Sequence, residues 1–327
     1  IERDGAEVGM LTTRGFRDIL HMARHKRPHN FSLQYEVPWQ SKPLVKRRNR
    51  IPITERLMPP TGEIEIPLNE DEVRAAAELL KKRGINAIIV SFLFSFLNND
   101  HETRAKEIIS SIHPDAYIYT SSEVVNVIRE YERFSSTAMN AYIGPKTASY
   151  LSNLENRLRK EGIDSQVRIM QSNGGISTIE NSSARPIGLL LSGPAGGVIG
   201  ARATGEQNNI SNIITIDIGG TSADISVIQE GDLRIKNPRD TEAASLPVLV
   251  TMIDIDDFHD ESSVASAIQH VRASGAKSVL VFDCEHDLID CLFDMVEVVL
   301  VPTLEDMLEE PRAKKEFYQN ILESQMA

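Results

Sequence analysis

Apolar residues recur along this chain with two different periods. Val73, Ala76, Ala77 and Leu80 fall on one face at helical spacing. Asn69 stands ahead of them as an N-cap with Glu72 three positions on, and Gly84 stops the helix. Residues 85–94 are then largely apolar, as expected for a strand covered on both faces. Ala105, Ile108, Ile109 and Ile112 mark a second helix that ends before Pro114, and residues 116–120 read as another strand. Near the start, Thr12 or Thr13 is placed to cap a helix reaching to about His25, with Phe16, Ile19, Leu20 and Ala23 on one face. A long helical region spans about 124–162, interrupted at Gly144-Pro145. From Val167 onward, strands alternate with glycine-rich turns and a short helix near 195–206. Helices alternating with buried strands predict an α/β architecture.

The segment from Ile213 to Ser226 carries the most chemistry. A β-branched run delivers Asp217 to Gly219-Gly220, Thr221 and Ser222 follow, and Asp224 opens a second apolar run. Glycines let backbone N–H groups approach an anion without Cβ interference, and the two hydroxyls add donors to phosphate oxygens. A carboxylate beside phosphates is repelled unless a hard cation lies between them. Asp217 therefore implies Mg²⁺, held through water, and Asp224 either orients the loop or a water or caps a turn. An ordinary hairpin with a Gly-Gly turn is the plainer alternative. Ser192, Gly193, Gly196 and Gly197 lie where a helix opens, so its N-terminus can face an anion, although close helix packing also uses small residues. Gln171, Ser172 and Asn173 follow a strand end and suit either amide recognition or a turn. Arg129, Glu130, Glu132 and Arg133 alternate in sign, which helical salt bridges explain as readily as a substrate contact by Arg133.

Taken in order, these segments resemble the hydantoinase/oxoprolinase family of ATP-dependent amidohydrolases and related carboxylases. The resemblance rests on Thr12-Thr13-Arg14-Gly15-Phe16-Arg17-Asp18, Arg129 to Arg133, Met170 to Gly175, Leu189 to Val198, and the hairpin from Ile213 to Ser226. It runs from about Ile1 to Ile255. It implies an actin-like ATPase (ribonuclease H-like) fold, incomplete here, that uses ATP and Mg²⁺. The implied reaction opens a cyclic amide, such as a hydantoin or 5-oxoproline, by phosphorylating the lactam oxygen. A hydantoinase B-type subunit is the implied partner. Family members carry a first phosphate loop ahead of the Thr12 segment, and after Ile255 this chain departs from the family pattern. The chain is accordingly expected to be a piece of a larger subunit that does not turn over alone. The alternatives are a non-catalytic ATP-binding remnant or assembly subunit, or a subunit of an ATP-dependent ketone carboxylase. The expected division is 1–125 as the rest of an N-terminal domain, 126–255 as the start of the ATPase domain, and 256–327 as a small α/β tail.

Composition sharpens the last boundary. Residues 256–327 hold 16 acidic and 5 basic residues, so −11 of the net −12 lies there, together with both cysteines. In that tail, residues 278–282 and 296–301 read as strands that pair with each other, flanked by helices, which predicts a separate module. The acidic balance argues against a nucleic-acid partner. No apolar run approaches the ~20 residues that span a bilayer, so no membrane partner is expected. Two cysteines give no disulfide framework, which fits a reducing cytoplasm.

Overall fold

The computed structural model describes residues 4–24, 38–218, 223–238, 241–243, 246–258, 278–282 and 297–301. The chain divides into two compact units, residues 1–190 with 237–251, and residues 191–236 with 252–327. The first break between the units falls at 190/191. The long helix that follows residue 126 is built into the core of the first unit.

In the first unit four parallel strands stand in the order β2-β1-β3-β4, with β1 Val8–Thr13, β2 Arg50–Ile53, β3 Ala87–Ser91 and β4 Tyr117–Thr120. Helices α1 (Glu70–Lys82) and α2 (Asp100–Ile112) supply Val73, Ala76, Ala77, Leu80, Ala105, Ile108 and Ile109 to a core with Leu11, Ile53, Ile88 and Val90. Asn69 caps α1 by accepting from the Glu72 N–H at 3.1 Å. The Glu72 carboxylate does not complete a capping box. It turns to the Thr54 N–H at 2.7 Å and to Arg14 at 2.7 Å.

Two expectations change here. Val8–Thr13 is a strand, buried at every position and paired on both sides, and the helix that follows is only Ile19–Met22. The hydroxyls of Thr12 and Thr13 end a strand instead of capping a helix. The long helix α3 (Glu130–Lys160) also runs through Pro145 without a break. At Gly144, one residue earlier, a Cβ would stand 2.3 Å from the Tyr119 Oη, so glycine lets β4 and α3 come this close.

The second unit is built on a mixed sheet. Its strands are β5 (Ile213–Ile218), β6 (Ala223–Gln229), β7 (Ile255–Phe258), β8 (Ser278–Phe282) and β9 (Glu297–Val301), with Asp232–Leu233 at the edge. β5 and β6 form an antiparallel hairpin, and β7 pairs antiparallel with β6. On the other side of β5, β8 runs parallel to it and β9 parallel to β8. The two tail strands do pair with each other, but β8 also pairs with β5. The tail strands therefore extend the sheet of the Asp217 hairpin, and the separate-module expectation gives way. The tail helices expected on either side of them lie outside the described residues. Helix α4 (Ser192–Gln207) covers this sheet through Ala195, Val198 and Ala201, which cluster with Ile213, Ile228, Ile253 and Ile255.

Candidate functional site

The β5–β6 register places Asp224 directly opposite Asp217, and the β6–β7 register places Asp257 directly opposite Asp224. Residues directly opposite in an antiparallel ladder share one face of the sheet. The carboxylates of Asp217 and Asp224 thus stand side by side on one face, where like charges destabilise unless compensated. Asp217 is exposed at the end of β5, and Asp224 is half-buried within β6 rather than at a turn. Gly219, Gly220, Thr221 and Ser222, the expected phosphate donors, lie outside the described residues. Asp257 was not singled out from sequence. Its alignment with Asp224 depends on a strand pairing across a long connection.

The face that carries this pair is the one under α4. Ile213 and Ile228 are opposite each other, as are Thr215 and Ser226, and the two isoleucines pack against the helix. Alternation along the strands puts Asp217 and Asp224 on that same face. The helix runs antiparallel to β5, because its end at Gly205 meets Ile213 at the start of the strand. From Gly205 back to Ala195 an α-helix rises about 15 Å, and from Ile213 to Asp217 a strand rises about 13 Å. The start of α4 and the carboxylate pair therefore lie toward the same end of the same face.

That helix start has the properties of an anion cradle. Among the described residues no side chain caps it, its first turn holds no acidic residue, and Leu191 ahead of it sits in the left-handed region at φ 58°. Strained non-glycine backbone of this kind clusters at functional sites. A Cβ added at Gly193 or Gly197 would meet nothing within 4 Å. Close packing therefore does not explain these two glycines, whereas Gly205 is a packing glycine with Ile213 Cδ1 at 2.2 Å from its would-be Cβ. Uncapped N–H groups and the helix dipole favour a phosphate there.

The remaining candidates belong to the first unit and are committed to the fold. Arg133 is fully buried and donates to Phe92 O at 2.7 Å, Ser121 Oγ at 3.0 Å and Val127 O at 3.1 Å. Burial pulls its pKa down, and the nearby Glu102 and Glu130 charges oppose that shift. This guanidinium is a structural hub, not a surface ion pair or a substrate contact. Its charge is balanced by Glu102, also fully buried, which accepts from Phe92 N, Ser121 Oγ, Ser122 N and Ser122 Oγ at 2.6–2.9 Å. Ser172 is buried and its hydroxyl ties down Gly188 O and Leu190 O. Asn173 Oδ1 accepts from Gly175 N at 2.9 Å, and the Gln171 N–H donates to Gly175 O. The 171–175 segment is thus a turn whose polar groups mostly serve the turn itself.

Residues 1–113 match the hydantoinase/oxoprolinase N-terminal region, and residues 133–258 match the hydantoinase/oxoprolinase family. An uncharacterized protein of Methanocaldococcus jannaschii is 38% identical over 222 residues, covering 68% of this chain and 32% of that protein. The caprolactamase subunit alpha of Pseudomonas jessenii is 31% identical over 258 residues, covering 78% of this chain and 36% of the subunit. A nucleotide-free structure of acetone carboxylase, from work on ATP-dependent acetone carboxylation, superposes with a TM-score of 0.68 at 28% identity, covering 79% of this chain and 37% of that one. The chain spans about a third of the length of these relatives. Among the described residues, no helix is long and apolar enough to cross a membrane. The chain belongs to the hydantoinase/oxoprolinase family.

Proposed function

We propose that this member of the hydantoinase/oxoprolinase family binds Mg-ATP at the β5–β6 hairpin and the start of α4, and contributes this half-site to the opening of a cyclic amide. The observation that carries the reading is the carboxylate pair Asp217-Asp224 on the same face, and toward the same end, as the start of α4. Carboxylate oxygens are the donors a hard cation takes, and Mg²⁺ keeps much of its water, so one or two of them suffice. Among the described residues no group of three His, Cys, Asp or Glu that could hold a metal ion is found. Asp217 and Asp224 would hold the hydrated ion, which neutralises phosphate charge when bound. Gly193 and Gly197 leave room for a phosphate against the helix N-terminus, and Gly219 to Ser222 donate to its oxygens.

The chemistry follows from what ATP can do to an amide. The lactam oxygen attacks the γ-phosphorus and ADP leaves. Water then adds to the activated carbon, the ring C–N bond opens to leave an acyl phosphate, and a second water releases the carboxylate and inorganic phosphate. Such transfers need positioning and charge neutralisation more than covalent help from the protein. The actin-like ATPase fold, a cytoplasmic setting and a hydantoinase B-type partner belong to the same reading. The likeness to acetone carboxylase favours one second reading, in which the same nucleotide site activates a ketone or bicarbonate for carboxylation. Calorimetric titration of Mg-ATP into the chain and its Asp217→Ala variant tests the site. Binding by the wild type and its loss in a folded variant are expected. Equal affinities would remove Asp217 from it. ATP hydrolysis stimulated by a lactam, or by a ketone with bicarbonate, separates the two reactions in the full-length protein.

A further inference from the structure

The second unit has an open cavity of about 430 Å³ at the end of α4 opposite the anion cradle. That volume lies within the range of small-molecule sites. The cavity sits where the last turns of α4, the connection into β5 and the turn after β6 meet. Ile210, Ile213 and Ile228 line it with apolar carbon, and Ile213 and Ile228 stand directly opposite each other in the hairpin. Its walls are tied together: the Gly231 N–H donates to Ser211 O at 2.7 Å, and the Glu230 N–H to Asn212 Oδ1 at 2.9 Å. A cavity held this way is preorganised, so little further ordering is needed when it is filled.

The charges around this apolar lining do not balance. The cavity wall carries the carboxylates of Glu206, Glu230 and Asp232 and a single guanidinium, that of Arg202. Arg202 is engaged by Glu206, with Nε at 3.0 Å from Oε1. The next cation along the chain, Arg234, turns to Asp254 at 3.7 Å. Among the described residues, Glu230 and Asp232 have no ion-pair partner. The end of α4 adds to the same sign, because the helix dipole is negative there and its last turn holds no basic residue. A positive charge is attracted to such a wall, and the isoleucines favour one that carries hydrocarbon over a bare hydrated ion.

We infer that this cavity takes a primary alkylammonium group, with the ammonium at Glu230 and Asp232 and the aliphatic stem over the three isoleucines. The same group is carried by a free aliphatic amine and by a lysine side chain of another protein. The site stands whether or not nucleotide binds: the two ends of the 16-residue α4 are about 24 Å apart.

The probes are n-pentylamine, charged at neutral pH, and 1-pentanol, the same chain without the charge. Each is titrated into the full chain, and ¹³C-labelled isoleucine δ1 methyl signals are read by NMR. Saturable shifts of the Ile210, Ile213 and Ile228 signals by pentylamine at millimolar concentration are expected, with 1-pentanol binding about tenfold more weakly. Glu230→Gln combined with Asp232→Asn should weaken pentylamine by about fivefold or more, as two exposed ion pairs allow, and leave 1-pentanol unchanged. Unmoved isoleucine signals elsewhere check that this variant keeps its fold. Asp217→Ala should bind pentylamine like wild type, which separates this site from the nucleotide reading. Nα-acetyl-lysine methylamide, a lysine side chain on a blocked backbone, separates the two sources. Affinity equal to that of pentylamine admits a protein's lysine, weaker binding restricts the cavity to free amines, and either keeps the assignment. It is overturned if pentylamine leaves the three methyl signals in place, if 1-pentanol binds as tightly, or if the double substitution leaves the pentylamine affinity unchanged.

Discussion

Gly197→Ala and Gly205→Ala add the same methyl group to the same helix and are expected to act in opposite directions. A Cβ at Gly197 meets nothing within 4 Å. Glycine in a helix interior is about 0.5–1 kcal/mol less favourable than alanine, so Gly197→Ala should raise the stability of the second unit by up to that amount. At Gly205 the new Cβ would stand 2.2 Å from Ile213 Cδ1 and 2.7 Å from Ile210 O. The Ile213 side chain is buried in the core, and Ile210 donates its N–H to Gly205 O at 2.9 Å, closing the turn from α4 into β5. Neither neighbour can yield without disturbing that turn. Overpacking of this kind costs about 1–3 kcal/mol, which outweighs the propensity gain and leaves a net loss of about 1–2 kcal/mol. Urea unfolding followed by circular dichroism compares the two variants with wild type. Mg-ATP calorimetry completes the test, because a methyl group on the open face of the helix start should weaken nucleotide binding in Gly197→Ala despite its greater stability. A loss of stability in Gly197→Ala equal to that in Gly205→Ala would show that the open face is covered in solution. Raised stability with unchanged nucleotide affinity would take the helix start out of the site.

Asp224→Asn removes the carboxylate directly opposite Asp217. It should reduce the stabilisation given by Mg²⁺, read as melting temperatures in chelator and in excess Mg²⁺; an unchanged response to Mg²⁺ would place Asp224 outside the ion's reach. Glu102→Gln replaces a buried acceptor of four hydrogen bonds and leaves Arg133 without its balancing charge, so a loss of about 3–5 kcal/mol is expected on urea unfolding; a loss under 1 kcal/mol would mean that Arg133 is balanced elsewhere. Tyr119 is pushed up to about 12 by burial and by the neighbouring Tyr117. The unfolded chain releases this proton near pH 10 while the folded one keeps it, so the Tyr119 contribution is whole below pH 10 and falls as pH rises toward 12; Tyr119→Phe should flatten that part of the stability profile, and an identical alkaline slope in both proteins would refute the assignment.

What was legible in the sequence is what local pattern decides. The Asn69 cap, the apolar run that became Ala87–Ser91, and the strands Ser278–Phe282 and Glu297–Val301 all announce themselves within a few residues. The Asp217 strand end is equally local. Errors arose where distant partners outvote the local rule. Thr12 and Thr13 suit a helix cap in isolation, yet Val8–Thr13 gains backbone partners on both sides, Arg50 to Ile53 and Ala87 to Ser91, and that pairing prevails. The charge alternation around Arg133 describes an exposed helix face, but the start of α3 lies against β3 and β4, so the same residues become a buried network.

The polar clusters divide along the same line. The hairpin folds back on itself, so the pairing of Asp217 with Asp224 follows from one turn. Asp257 comes opposite Asp224 only because β7 returns to β6 after an intervening stretch of chain, and no spacing in the sequence encodes that register. The Thr13, Glu55 and His101 triad is farther still from view, its hydrogen bonds spanning 42 and 46 positions. Each of these residues reads alone as an ordinary surface polar group. What makes them a network is burial at the carboxyl edge of a parallel sheet, where each side chain is desolvated and oriented by its neighbours. Strand order sets that edge, and strand order is the property of a fold that local sequence determines least.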